Sequence, residues 1–344
     1  MPPIKPNAVS VIIPCYNAEN IVTRTLDALD RQTVRGFEVV AVDDGSADGT
    51  VSVLKSYRPK NYRLTVLAEG HKGPAAQRNT GVKRAKGGIV VFTDSDCVPD
   101  KNWLSEMIGP FGNKDVAGVS GTYRTLNADK MIARFEGYEI EKRHLRLARQ
   151  ERIDFVGSFS AGYRKGIFRR FGGFSTEFRT ADAEDPELSF KMAEAGHKLV
   201  FNPKAVVAHP HVDSLGRYWK QKLSRGFWRV LLYRKHPEKM RGDSYTGAEV
   251  PLSLLAAAAL LLSICGLVLS SLIGGFFLGR GFYAVAAALS FVVFCGINLG
   301  TVLFMAKKEK KMLLFAPVLM LIRTLAWGIG FACGLVNTLF GASK

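Results

Sequence analysis

The sequence predicts an α/β domain built on a parallel sheet, then a basic-aromatic segment, then helices that cross a membrane. Three observations carry that expectation. Short β-branched runs alternate with helix-spaced apolar positions over the first two hundred residues. Two of those runs end in paired carboxylates, Asp43-Asp44 and Asp94-Ser95-Asp96. After Val250 the chain becomes almost continuously apolar, although its net charge is +17. Mean hydropathy is slightly positive despite that charge, so apolar residues are concentrated rather than spread. The charge itself requires anionic partners: nucleic acid, anionic lipid or phosphorylated substrates. Cys15, Cys97, Cys265, Cys295 and Cys333 have neither metal-ligand nor disulfide-framework spacing. The opening Met-Pro-Pro-Ile-Lys-Pro has no apolar core of signal-peptide length, so the first domain is expected in the cytosol.

Taken in order, Val9–Ile13 reads as a strand ended by Pro14. Asn17 and Asn20 then stand ready to cap a helix with apolar positions at Ile21 or Val22, Leu26 and Leu29. Phe37–Val42 is a second strand, and Val51, Leu54 and Tyr57 line a second helix. Leu64–Leu67 is a third strand, and Gly73-Pro74 opens a helix through Arg84. Ile89–Thr93, bounded by Gly87-Gly88 and Pro99, is the buried central strand. Strands alternating with amphipathic helices imply a parallel sheet covered on both faces. Open α/β sheets place ligands at the carboxyl ends of their strands.

Asp94 and Asp96 stand at such an end, with little counter-charge in the local sequence. They repel unless a cation sits between them, and hard oxygen ligands at this spacing suit Mg²⁺ or Mn²⁺ holding a diphosphate. An ordinary turn is the competing reading, since Asp and Ser are turn residues. Asp43 and Asp44 repeat the arrangement and can accept from a nucleobase imide or ribose hydroxyls. Lys72, Arg78 and Asn79 follow on the next loop and helix start, where they would neutralise phosphate.

Val11-Ile-Ile-Pro14-Cys-Tyr16-Asn17, Val42-Asp-Asp-Gly-Ser46, Gly73-Pro-Ala-Ala-Gln-Arg78-Asn79 and Asp94-Ser-Asp96, in this order, resemble the nucleotide-sugar half of family 2 glycosyltransferases. The resemblance implies a GT-A, Rossmann-like fold and an NDP-sugar donor, with a UDP-sugar favoured. Pro14, Tyr16, Asn17, Asp43, Asp44, Lys72, Arg78, Asp94 and Ser95 fall on that donor side, and Asp96 carries a divalent cation. Gly157–Gly162 followed by Phe171-Gly-Gly173-Phe174 is similar to the family's acceptor-side segment. Asp182-Ala-Glu184-Asp185-Pro186 is similar to its Glu-Asp motif, in which Asp185 is the base and Glu184 its companion. A helix N-cap with proline in the first turn, closed by Gly196, is the structural alternative for Asp185. It leaves the crowding of Asp182 and Glu184 unexplained, and that crowding would raise a carboxylate's pKa as a base requires.

In Ala205-Val-Val-Ala-His209-Pro-His211 the resemblance makes His209 a metal ligand beside Asp96 and Asp94, with His211 near the donor diphosphate. Imidazole favours Mn²⁺ over Mg²⁺. Leu215–Pro237 mixes Arg and Lys with aromatics, as nucleic-acid binders do. Its position before the apolar segments favours a helix in an anionic membrane surface, with membrane lipids and not nucleic acid as partner. Gln221 and Arg225-Gly-Phe-Trp228 loosely resemble the Gln-x-x-Arg-Trp signature of processive synthases, displaced by one residue. Ile132–Arg152 reads as a solvated basic helix.

The organisation expected is therefore a catalytic domain over 1–212, an interface segment over 213–249 and a membrane region over 250–344. The spans fall near 251–273, 282–306 and 312–340, the last interrupted by Arg323. Four lysines at 307–311 against a lone Arg280 place the catalytic domain on the cytosolic side of a bacterial or archaeal inner membrane. The expected activity is inverting transfer of a sugar to a hydroxyl of a lipid-linked sugar or growing glycan. A polyprenyl-phosphate sugar synthase and a non-catalytic cationic scaffold are the alternatives.

Overall fold

A computed structural model describes residues 8–178, 180, 182–273 and 278–340; the Met-Pro-Pro-Ile-Lys-Pro stretch lies outside them. The chain divides into two compact units, Met1–His211 and Val212–Lys344.

The first unit is a GT-A-like α/β domain on an eight-stranded sheet of order β3-β2-β1-β4-β7-β6-β8-β5. The strands are β1 (Val9–Cys15), β2 (Phe37–Asp44), β3 (Tyr62–Glu69), β4 (Ile89–Thr93), β5 (Val98–Pro99), β6 (Val116–Thr125), β7 (Ser160–Arg164) and β8 (Lys198–His209). The first four are parallel, as the alternating pattern requires. The sheet as a whole is mixed: β7 runs antiparallel to both β4 and β6, and β5 antiparallel to β8. The all-parallel expectation fails beyond β4, because residue pattern encodes burial and not strand direction.

β1 does not stop at Pro14. Pro14 and Cys15 stay in register with Val42 and Asp43, while the ladder to β4 ends at Ile12 and Phe92. Past that point β1 has a neighbour on one side only, so a missing N–H is tolerated. The asparagine caps also fail. The helix α1 (Val22–Asp30) starts after Ile21 with no side-chain cap, and Asn17 instead adopts a left-handed backbone, φ +48°. The helix α2 (Thr50–Ser56) buries Leu54, and Tyr57 follows it and donates to Asp27.

The helix α3 (Pro74–Arg84) opens at Gly73-Pro74 as expected and packs on β1 and β2. A Cβ at Gly81 would lie 2.4 Å from Ile12 Cγ2, so glycine sets how closely α3 approaches the sheet. Beyond β5 comes α4 (Trp103–Ile108), whose Trp103 is fully buried and donates to Ser160 Oγ. The helix α5 (Met131–Leu147) is not the solvated helix expected. Gly137 faces Thr125 of β6, and Phe135, Glu136, Glu139 and Ile140 are buried. After α6 (Lys165–Arg170), α7 (Glu184–Glu194) follows Ala183. It ends at Gly196, φ +81°, where the His197 amide returns to Met192 O.

In the second unit Ser214 Oγ caps α8 (Leu215–Lys235). Among the described residues three further helices are long and apolar enough to cross a membrane: α9 (Glu249–Ile273), α10 (Arg280–Lys308) and α11 (Met312–Phe340). Arg280 donates to Ser270 O and Ser271 O, closing the carboxyl end of α9. Asn298 of α10 donates to Ser253 of α9 at 3.0 Å. The helix α8 lies in backbone contact with α11. A Cβ on Gly226 would meet Trp327 O, and Cβ atoms on Gly330 and Gly334 would meet Leu223 O and Phe227 O. Small residues allow such approach between membrane helices. The guanidinium of Arg229 also rests over Trp327.

Because Gly81 spaces α3 from β1, Gly81→Val should cost about 1–3 kcal/mol by overpacking. That corresponds to a fall of roughly 2–10 °C in the melting midpoint of the detergent-purified chain. An unchanged midpoint would show that α3 does not sit against Ile12.

Candidate active site

The two acidic strand ends flank the carboxyl end of β1, which pairs with both β2 and β4. One intervening strand separates them by about 10 Å. Asp43 is buried and accepts from the Gly45 and Ser46 amides at 3.1 and 3.0 Å and from Ser46 Oγ. Ser46 Oγ in turn accepts from the Asn17 amide, and Asn17 Oδ1 accepts from Ala47 N. Asn17 thus joins the loops after β1 and β2, which is why its left-handed backbone suits asparagine. Asp44 is equally engaged, by the Lys72 and Gly73 amides at 2.7 and 3.0 Å and by the Gln77 side chain. These carboxylates build the loops that would face a nucleotide.

On that edge Tyr16, 51% exposed, lies 4.6 Å from the His71 ring, and His71 Nδ1 approaches Asp44 at 3.1 Å. Sequence reasoning missed His71, since nothing in its local pattern marks it. The Lys72 ammonium lies 3.8 Å from Glu69 and is largely exposed.

Arg78 is buried, and it supplies the counter-charge that the local sequence around Asp94 lacks. Its Nη2 lies 2.8 Å from Asp94 Oδ1 and its Nη1 3.0 Å from Glu184 Oε1. Asn79 is not on a phosphate path. It donates to Phe174 O and accepts from Phe174 N, clamping the turn at Gly173. Gly173 has φ +73°, and a Cβ there would lie 2.5 Å from Asn79 Oδ1; the residue expected on the acceptor side is needed here for close approach.

Asp185 is not the helix cap. Ala183 precedes the helix, and Asp185 sits inside the first turn of α7. Its Oδ2 accepts from the Ser158 amide at 2.9 Å, while its buried Oδ1 has no hydrogen-bond partner. Burial raises the Asp185 pKa, and Arg78 opposes the rise. Glu184 is pushed up to about 8 by burial first and by Asp185 next, against the pull of Arg78. One guanidinium facing several buried carboxylates cannot hold them all ionised. Ser158 is a second residue the sequence reading passed over; its place in Gly157-Ser-Phe-Ser was the available signal.

Asp94-Ser95-Asp96-Cys97 is also a turn, closed by the Cys97 amide on Asp94 O, so the turn and ligand readings coexist. Ser95 contributes its carbonyl, which accepts from Thr25. Asp96 Oδ2 lies 3.5 Å from His209 Nε2, a spacing two ligands bonded at about 2.1 Å to one ion can span. Burial raises the Asp96 pKa, while His209 lowers it. His209 Nδ1 is buried without a partner. The donor set therefore fits a divalent cation. Cys97 lies within 4.8 Å of both ligand atoms, but burial pushes its thiol pKa up. Asp94 falls outside this cluster, since one of its oxygens is turned to Arg78. His211 lies 5.2 Å from His209 ring to ring and is held by Asn127 through its backbone. Gln221, Arg225 and Trp228 lie on α8 of the second unit.

Acidic strand ends on a GT-A-like sheet, with a buried Glu-Asp pair, match the features that the resemblance to nucleotide-sugar glycosyltransferases implied. Residues 10–172, within the first compact unit, match the profile of glycosyl transferase family 2. It is 31% identical over 237 residues to the pre-mycofactocin glycosyltransferase of Mycobacterium tuberculosis, covering 67% of this chain and 48% of that protein. It is 27% identical over 207 residues to glycosyltransferase AglE of Haloferax volcanii, covering 59% and 66% respectively. The chain thus spans about half the length of the first relative and two thirds of the second. Among solved structures, the fold is similar to mannosyltransferase PcManGT from Pyrobaculum calidifontis in complex with GDP-Man and Mn²⁺. The TM-score is 0.62 at 21% identity, over 98% of this chain and 88% of that one.

The Glu184 environment sets a pH dependence of stability. The folded chain keeps Glu184 protonated to about pH 8, whereas an ordinary glutamate ionises near 4.5. Between those values the unfolded chain binds fewer protons, so this group's contribution falls as pH rises from about 4.5 to about 8. The melting midpoint of Glu184→Gln should lack that decline. Parallel pH profiles for parent and variant would contradict a protonated Glu184.

Proposed function

We propose that the chain moves a sugar from an NDP-sugar, a UDP-sugar being the first to test, to a hydroxyl of a lipid-linked sugar or growing glycan. The observation that carries this reading is Asp185: one oxygen pinned by Ser158, the other buried and unpartnered, and a raised proton affinity. Such a carboxylate suits a general base. It is meaningful only for a neutral nucleophile, because a phosphate oxygen is already ionised at neutral pH.

In this mechanism the Ser158 amide orients Asp185, which takes the acceptor hydroxyl proton as that oxygen attacks the anomeric carbon. Attack opposite the leaving diphosphate inverts configuration. Arg78 neutralises Asp94 and hydrogen-bonds Glu184, so Asp185 works beside a compensated cluster. Tyr16 and His71 offer an aromatic edge for the base, next to the loops organised by Asp43, Asp44 and Asn17. Asp96 and His209, with Asp94 beside them and His211 on the diphosphate side, would hold Mn²⁺ or Mg²⁺. A bound cation would neutralise charge developing on the diphosphate. The bound GDP-Man and Mn²⁺ of the similarly folded mannosyltransferase are compatible with this assignment.

The apolar helices α9–α11 support a membrane-held acceptor. Four lysines at 307–311 against Arg280 favour a cytosolic catalytic domain.

Asp185→Asn should keep donor affinity but lower transfer from radiolabelled donor to membrane extract by about two to four orders of magnitude. Asp96→Asn should instead lose divalent-dependent nucleotide binding in calorimetric titration. Near-normal turnover by Asp185→Asn, or efficient glycosylation of polyprenyl phosphate by the parent, would contradict the reading.

A further inference from the structure

A cavity opens at the other end of β2 from Asp43 and Asp44, roughly 23 Å along the strand. Its volume is about 660 Å³, and it lies where α1 ends and β2 and β3 begin. Three cations line it from two segments: Arg31 and Arg35 on the loop between α1 and β2, and Lys101 after β5. All three are exposed, and among the described residues none is paired with a carboxylate.

The acids nearby are committed elsewhere. Asp30, also in the lining, accepts from the Lys60 and Asn61 amides at 2.8 Å each. Asp100 is paired with Arg124 at 2.7 Å. The walls are fixed by Gln32, which is buried. Its amide nitrogen donates to Ala28 O and Asp100 O, and its oxygen accepts from Leu104 N. The Thr33 amide bonds Lys101 O, and the Gly36 amide bonds Asn61 O. Gln32 therefore also covers an acceptor at the carboxyl end of α1 that would repel an anion.

We propose that this cavity binds a phosphate-bearing anion, either a free (di)phosphate or a phospholipid headgroup. Three cations lining one cavity, none of them paired with a carboxylate, match the charge and donor chemistry of phosphate. The wall hydrogen bonds hold the two cation-bearing segments in place before a ligand arrives, which lowers the cost of binding. The site is separate from the donor site and needs no divalent cation.

The test uses the full chain in non-ionic detergent with EDTA, which silences cation-dependent nucleotide-site binding. Isothermal titration is run with pyrophosphate, with short-chain phosphatidylglycerol and with short-chain phosphatidylcholine. The variant combines Arg31→Gln, Arg35→Gln and Lys101→Gln. A control of equal charge change combines Lys55→Gln, Lys83→Gln and Lys86→Gln. The triple variant should bind the anionic probe about tenfold or more weakly, with its melting midpoint kept, while the control binds as the parent does. Binding of pyrophosphate identifies a free anion as the source; binding of phosphatidylglycerol alone identifies a headgroup. No binding of either by the parent, or equal loss in variant and control, overturns the proposal.

Discussion

The candidate site depends on a guanidinium with almost no access to water. Arg78 leaves α3 and reaches Asp94 after β4 and Glu184 at the start of α7, 16 and 106 residues away in sequence. A buried charge without partners is strongly unfavourable, and so is a group of buried carboxylates without a cation. Each half of the domain therefore supplies what the other needs to fold. The parallel half brings the arginine and Asp94; the later half brings Glu184 and Asp185. Asn79, the next residue, adds a neutral clamp on the Gly173-Phe174 turn, so consecutive side chains of one helix tie down both parts of the later half.

The same interaction explains why Glu184 and Asp185 behave differently. Glu184 meets the guanidinium directly, while Asp185 is held by Ser158 and keeps one buried oxygen unpartnered. Arg78 is thus a compensator beside the base. An arginine already engaged by two carboxylates has limited capacity for a phosphate, which separates its role from the phosphate contact its motif implied. Asp96 and His209 stand apart from this cluster, with their own charge balance.

Much of this was legible in the residues. Short β-branched apolar runs and helical patterning located β1 to β4 and α1 to α3, Gly73-Pro74 marked a helix start, and the uncharged runs marked α9 to α11. The acidic strand ends and the Glu-Asp pair were visible because carboxylates rarely cluster without a purpose. Other features depend on partners distant in sequence. Pro14 stays in its strand because β4 has already ended beside it, and no local pattern announces that. Asn17 has the composition of a helix cap but joins two loops, because Ser46 and Ala47 arrive next to it. The direction of β7 and the burial of α5 are likewise outcomes of packing. On α8 the basic-aromatic composition pointed to a membrane surface, yet the glycines at 226, 330 and 334 bring that helix into backbone contact with α11.

The central claim is that Arg78 joins the two halves by binding Glu184, and a double-mutant cycle in urea unfolding of the detergent-purified chain tests it most directly when run above pH 8, where Glu184 is ionised. Arg78→Met alone should cost about 3–5 kcal/mol, the penalty for leaving buried carboxylates uncompensated. In a Glu184→Gln background the same substitution should cost less, by a coupling of about 0.5–3 kcal/mol. Equal costs in the two backgrounds would contradict the account.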